Sequence, residues 1–214
     1  MTTTGRKELQ HPRFARQYLK IAAESDRRGG AQHRNRLLTA LTGRVLEVGA
    51  GQGRNFGHYP DTVTEVVAVE PDDTLRAIAG QAAAAAPLNI TVVAGEAADL
   101  PGEDGEFDAV VASLVLCSFA DVPGALAEIA RVLRPGGELR FYEHVRSPHR
   151  WAGRLEDAIT PLWSRAAGGC HPNRDTETAI RAAGFTVTGI DRFGFSFSPL
   201  VPNTLHIVGS AVRP

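Results

Sequence analysis

An apolar, β-branched run, Arg44-Val45-Leu46-Glu47-Val48, leads directly into the glycine-rich turn Gly49-Ala50-Gly51-Gln52-Gly53. A strand that is apolar on both faces has to be covered on both, which points to a parallel sheet between layers of helices. A glycine turn at the end of such a strand is where this architecture binds nucleotides. Glycine lets the backbone approach a ligand closely, and the free amides at the start of the next helix attract polar groups. On its own the signal is weak, because Gly-x-Gly turns recur in many folds.

The rest of the chain repeats the theme. Runs at 65–70, 90–94, 108–113 and 138–143 read as four more strands, and 185–190 and 205–212 as two closing ones. Residues 73–86 read as an alanine-rich helix closed by Pro87. Leu126, Ile129, Ala130 and Leu133 share one face of a helix over 122–133, which Arg134-Pro135-Gly136-Gly137 ends. Residues 151–167 read as a helix interrupted by Pro161, and 175–183 as one stopped by Gly184. The stretch from Phe193 to Pro199 reads as an aromatic loop between the last two strands. The expected fold is α/β: a Rossmann-like, doubly wound, mostly parallel seven-stranded sheet with helices on both faces. The globular unit is expected over 44–214. Residues 1–43 read as a helical extension around Arg27-Arg28-Gly29-Gly30, with Phe14, Tyr18 and Ile21 placed to form a lid.

Composition narrows the function. Hydrophobic residues make up 43% of the 214 and charged residues 22%, as in an ordinary globular chain. A formal net charge of −1 gives no electrostatic hold on nucleic acid or anionic lipid. Two cysteines, Cys117 and Cys170, exclude a disulfide framework and suit a reducing cytoplasm. The longest uncharged apolar stretch, near 109–120, is too short to cross a bilayer, and the first twenty residues carry charges throughout. The expectation is a cytoplasmic protein with a small-molecule partner, no nucleic acid and no integral membrane association.

Two details choose among nucleotides. The dinucleotide fingerprint wants glycine three residues after the second glycine, and Arg54 stands there, which argues against NAD. Glu70 falls at the carboxyl end of the second strand, where a carboxylate can accept both hydroxyls of a ribose.

These residues resemble the class I S-adenosylmethionine-dependent methyltransferases. Val45 to Gly53 is similar to their first motif and Val69-Glu70-Pro71 to their second. Gly95-Glu96-Ala97-Ala98-Asp99-Leu100-Pro101 is similar to the adenine-side loop, Phe107 to Ala112 to the fourth strand, and Ala130 to Gly137 to the motif after the following helix. The ordered match spans about 44–146. A narrower likeness to the vertebrate microsomal thiol methyltransferases and their bacterial relatives lies in Arg54 to Pro60, Leu114 to Ser118, Glu143-His144-Val145 and Gly168 to Asn173. Those animal enzymes carry an N-terminal hydrophobic anchor, and this sequence shows none.

The resemblance implies S-adenosylmethionine as cofactor. It implies that Glu47, Gly49 and Gly51 face the methionine part, and that Gly53 and Asn55 bind the cofactor with them. It places Glu70 on the ribose, Pro71 beside the adenine, Glu96 and Ala97 at the adenine amino edge, and Leu114 and Val115 near the methyl group. His144, just after the fifth strand, is the favoured general base, since imidazole titrates in the useful range; capping loop backbone is its other reading. Cys117 reads as a small buried residue. Cys170-His171 suggests a metal, but adjacent side chains rarely reach one ion and no second Cys/His pair has zinc spacing, so none is expected. Asn173 either lines the acceptor pocket or caps the helix near Asp175. Trp151, Trp163, Phe193, Phe195 and Phe197 read as core and lid packing, or as the wall of an acceptor pocket. The function expected is methylation of a small nucleophile, with a thiol implied. An O- or N-nucleophile, a lipid headgroup, a non-catalytic cofactor-binding regulator and an NAD-dependent oxidoreductase are the alternatives.

Overall fold

The computed structural model describes residues 9–10, 12–198 and 201–214. Its strands are β1 (Gly43–Val48), β2 (Val63–Val69), β3 (Ile90–Val93), β4 (Phe107–Ser113), β5 (Leu133–His144), β6 (Thr186–Phe195) and β7 (Thr204–Val212). They form one sheet in the order β3-β2-β1-β4-β5-β7-β6. The first five pair in parallel, and β7 runs antiparallel between β5 and β6. The order reverses between β1 and β4, so a crevice opens at the carboxyl ends of those two strands, where ligands of such sheets bind.

The helices are α1 (Pro12–Ser25), α2 (Ala31–Leu38), α3 (Asp73–Ala85), α4 (Val122–Val132), α5 (Arg150–Ala166) and α6 (Thr176–Ala182). Asp72, Asp121 and Asp175 cap α3, α4 and α6 by accepting bonds from first-turn amides. Successive strand residues point to opposite faces, so Leu46, Val110, Leu139 and Phe141 meet α4 on one side. Val45, Val66, Ala109 and Tyr142 meet α2 and α3 on the other. Leu37, Leu38 and Leu41 are fully enclosed in that second layer. The end of the N-terminal segment is thus core, and a boundary at 43/44 cuts through it.

Four sequence expectations shift. The strand expected at 138–143 begins at Leu133, because buried Leu133 pairs with Phe107 before the Pro135-Gly136 turn bulges out and pairing resumes at Glu138. The helix before it accordingly ends at Val132. The expected aromatic loop is strand as far as Phe195, because Phe193, Gly194 and Phe195 find partners in His206, Leu205 and Thr204; Pro199 lies outside the described residues. Helix α5 runs through Pro161, with the Thr160 hydroxyl donating to the Glu156 carbonyl one turn back.

Candidate functional site: the carboxyl edge of the sheet

At the end of β1 the chain passes through Gly49, Gly51 and Gly53 with φ of 67°, 59° and 79°, the left-handed region that favours glycine. The Gly49 and Ala50 amides both donate to the Val69 carbonyl, which ties the turn to the end of β2. A Cβ on Gly49 would stand 2.3 Å from Val115 Cγ2, so the turn and the loop after β4 are in direct contact. The Glu70 carboxylate accepts from the Gly51 amide at 2.8 Å and the Asp72 amide at 2.9 Å. The Pro71 carbonyl receives the Gln10 side-chain amide at 2.8 Å. Gly95 packs so tightly on Val69 that a Cβ would approach it to 2.7 Å, which draws the Glu96–Ala97 loop alongside. The five loops after β1 to β5 therefore line one edge.

Glu47 is buried on β1. It accepts from Asn55 Nδ2 at 2.9 Å and Tyr59 OH at 2.7 Å, and Asn55 Oδ1 in turn accepts from Arg34 Nη1 at 3.2 Å. Arg34 and Arg54 both pair with Asp26, between α1 and α2. The long side chain that displaces the third glycine thus serves to fasten the N-terminal segment. Tyr18 of α1 lies across the turn, 3.3 Å from where a Gly51 Cβ would be.

A third buried acid went unread in the sequence. Glu143, at the end of β5, accepts from the amides of Val115 and Leu116 at 3.0 Å each and of Cys117 at 3.2 Å. It holds the loop after β4 in shape, including Leu114, whose φ of 58° is rare for a residue with a side chain. The signal was present: an acid inside an otherwise buried strand, next to a histidine. Burial raises the carboxyls of Glu47, Glu70 and Glu143 alike to about 7.

His144 follows Glu143. Its Nδ1 is 3.8 Å from both Cys117 Sγ and Cys170 Sγ, and the two sulfurs are 3.4 Å apart. Its ring packs 4.3 Å from that of His206, which burial holds neutral by pushing it down to about 3. The two thiols are pushed apart in pKa: the Cys170 thiol and burial push Cys117 up, while a bond from Cys117 and the His144 ring pull Cys170 down. The sequence offers Cys170-His171 as a pair and argues against it as a metal site; His171 Nδ1 turns to the Gly169 carbonyl at 2.6 Å. Cys117 and His144 take its place beside Cys170. Asn173 bonds to Asp157, and Asp175 itself makes the helix cap. Phe193 stacks on His33 at 4.0 Å and Phe195 is buried, whereas Trp151 is 74% exposed and contributes to neither core nor lid.

Three tests of fit favour a polar, cationic nucleoside at this edge. Three buried carboxyls sit there, and burial holds each at about 7 despite the charges of Arg34, Arg76 and His144 near them, so a further cation gains from their field. Gln52 Nε2, Ser113 Oγ and Tyr142 OH are buried without a partner among the described residues, and all belong to the loops or strands that end here. Glu70 uses two of a carboxylate's four acceptor positions and keeps two for hydroxyl donors. S-Adenosylmethionine, with its sulfonium, ammonium and ribose, matches that donor and charge set. Among the described residues no helix is long and apolar enough to cross a membrane.

Residues 46–141 match the family model described as a methyltransferase domain. The chain is 34% identical to thiol S-methyltransferase TMT1B of Homo sapiens over 187 residues, 82% of this chain and 74% of that protein. It is 33% identical to human thiol S-methyltransferase TMT1A over 79% of this chain and 70% of that one. The fold is shared with an S-adenosylmethionine-dependent methyltransferase from Thermotoga maritima, at a TM-score of 0.70 and 21% identity, over 94% of this chain and 97% of the other. With this sheet order, this glycine turn and these relatives, the chain belongs to the class I S-adenosylmethionine-dependent methyltransferases.

Proposed function

We propose that this methyltransferase acts on a small thiol seated beside His144. The observation that carries the reading is the reach of the likeness to human TMT1B. It covers 187 residues, whereas the methyltransferase-domain match stops at residue 141, so similarity extends into the segments that shape the acceptor side.

S-Adenosylmethionine supplies an electrophilic methyl on a sulfonium, and the chain has to hold it, exclude water and align the nucleophile. Glu47, with Asn55, Gly49, Gly51 and Gly53, holds the methionine end. Glu70 takes the ribose hydroxyls on its unused lone pairs. Pro71 lies along the adenine, Glu96 and Ala97 meet its amino edge, and Leu114 and Val115 close around the methyl group. A thiol with a pKa near ~8.5 is partly ionised at neutral pH and needs modest help, unlike an alcohol. His144 acts on the acceptor's proton, and its contact with Cys117 and Cys170 makes the three work as a unit rather than the ring alone.

The test offers S-adenosylmethionine with matched thiols, alcohols and amines, and follows S-adenosylhomocysteine and methylated product by mass spectrometry. Thiols are expected to turn over and their oxygen analogues not. His144→Ala is expected to lower kcat by roughly 10²–10⁴-fold. Turnover of amines or alcohols with none of thiols refutes the acceptor assignment.

A further inference from the structure

Three ligating atoms converge at the acceptor side from three separate segments: Cys117 on the loop after β4, His144 at the end of β5, and Cys170 between α5 and α6. Both cysteines are buried and free. We propose that Cys117, Cys170 and His144 bind one zinc ion whose fourth position takes the acceptor thiol. The inference deepens the thiol-methylation reading, and rests on it for the fourth ligand alone.

Distances carry the argument. A tetrahedral zinc ion with bonds of ~2.3 Å to sulfur and ~2.05 Å to nitrogen sets its ligands about 3.8 Å apart for S···S and about 3.6 Å for S···N. The observed edges are 3.4 Å for the two sulfurs and 3.8 Å from each to His144 Nδ1. All three thus lie within a few tenths of an ångström of one face of a coordination tetrahedron. A thiol pair alone accounts for one edge, not for an imidazole nitrogen equidistant from both sulfurs. Two thiolates with one imidazole is also a donor set that selects zinc. Three protein ligands with one open position is the pattern of catalytic rather than structural zinc.

The surroundings fix the ligands. Glu143 holds the Cys117 amide, and the His171 amide donates to the Cys117 carbonyl at 2.8 Å, which joins the two cysteine-bearing loops. Arg174 donates to the Leu116 carbonyl at 2.9 Å, and His206 backs the His144 ring. Val115, two residues before Cys117, touches the glycine turn, so one loop borders both the ligand cluster and the turn assigned to the cofactor.

Zinc with two thiolates is electrically neutral. A thiol entering the fourth position loses its proton to solvent, because a coordinating thiol is deprotonated outright. The bound sulfur then forms a bond to the methyl carbon with one of its lone pairs. The carbon–sulfonium bond breaks, and its electron pair stays on sulfur as S-adenosylhomocysteine. No electrons pass to or from the ion. The methylated product is a neutral thioether, a poor ligand for zinc, and departs. In this scheme His144 acts on the acceptor's proton through the ion it ligates and not as a general base, and the proton leaves when the acceptor binds.

The test starts from protein purified reduced and without chelator. Elemental analysis and native mass spectrometry are expected to find one zinc per chain. Cobalt substitution is expected to give thiolate-to-metal charge-transfer bands and the visible bands of a tetrahedral ion, which shift on adding 2-mercaptoethanol and not on adding ethanol. Cys117→Ser and Cys170→Ser are expected to lose the ion and Ser118→Ala to keep it. Cofactor binding by calorimetry shows that each variant is folded. Reduced, zinc-free protein that methylates thiols at full rate overturns the proposal, as does cobalt bound without thiolate bands. Zinc retained by Cys117→Ser and Cys170→Ser overturns it too. Zinc bound with the expected spectra but no methylation of any thiol upholds the ion and refutes the proposed reaction, so the two failures are distinct.

Discussion

Glu47 is 2% exposed, and among the described residues it accepts hydrogen bonds from Asn55 and Tyr59. Burial raises its carboxyl from 4.5 to about 7, so ionising it in the folded chain costs free energy that the unfolded chain is spared. Glu47→Gln keeps the shape without the charge, its oxygen accepting from Asn55 and its amide donating to the Tyr59 hydroxyl. The expected outcome is a cofactor-free protein more stable at pH 8 by on the order of 1–3 kcal/mol, with weaker cofactor binding, read by denaturant unfolding and calorimetry. At Gly49 the constraint is steric. Gly49→Ala adds left-handed strain and a clash with Val115, expected to cost roughly 1–3 kcal/mol and to displace the loop holding Leu114, with cofactor affinity falling alongside. These residues were legible in the sequence because each sits at a strand end and carries its meaning locally: a glycine needing positive φ, an acid closing an apolar run. Glu143 clamping the Cys117 loop was not, nor was the Cys117–His144–Cys170 cluster. Their partners lie 26 to 53 residues apart, and no local spacing encodes that meeting.

At the scale of elements, the central strands, apolar on both faces and buried along most of their length, and the helices with Asp caps could be read directly. The misplaced limits are those that tertiary pairing decides. Phe193 to Phe195 join β6 because β7 offers partners, and Leu133 joins β5 because Phe107 does. The N-terminal helices divide the same way. Leu37, Leu38 and Leu41 bury against Val45, Tyr142 and Val208, at about 1.5–3 kcal/mol each. A chain started at Arg44 forgoes all three and is expected not to fold, since a whole domain of this kind is stable by only about 5–15 kcal/mol. A chain started at Asp26 keeps them, along with the pairs from Asp26 to Arg34 and Arg54, and loses Tyr18 from the turn. It is expected to fold and to release cofactor faster. Circular dichroism and stopped-flow displacement separate the two truncations. Should the shorter one fold with a sharp melt, the core role of α2 is wrong. The outward stripe of Trp151, Leu155, Ile159 and Leu162 on α5 has no partner among the described residues.

Across the whole molecule, the parallel sheet gathers Glu47, Glu70 and Glu143 onto one edge, each with a carboxyl at about 7. The unfolded chain ionises them near 4.5, so between about 4.5 and 7 the folded state holds the extra protons. These groups therefore make the cofactor-free protein less stable as pH rises through that window. A bound cation reverses the balance, because its charge favours the ionised acids and expels their protons. Affinity for S-adenosylmethionine is accordingly expected to rise with pH up to about 7 and to level off above it. The slope reaches up to about tenfold per pH unit for each proton released. Calorimetry at pH 6.5 in buffers of different ionisation enthalpy counts those protons directly. Glu47→Gln should lower the count, and neutral adenosine, which lacks the sulfonium and ammonium, should release fewer than the full cofactor. An affinity flat from pH 5.5 to 8 with no proton release would mean that these acids serve the loops alone and that the cofactor's charge is balanced elsewhere.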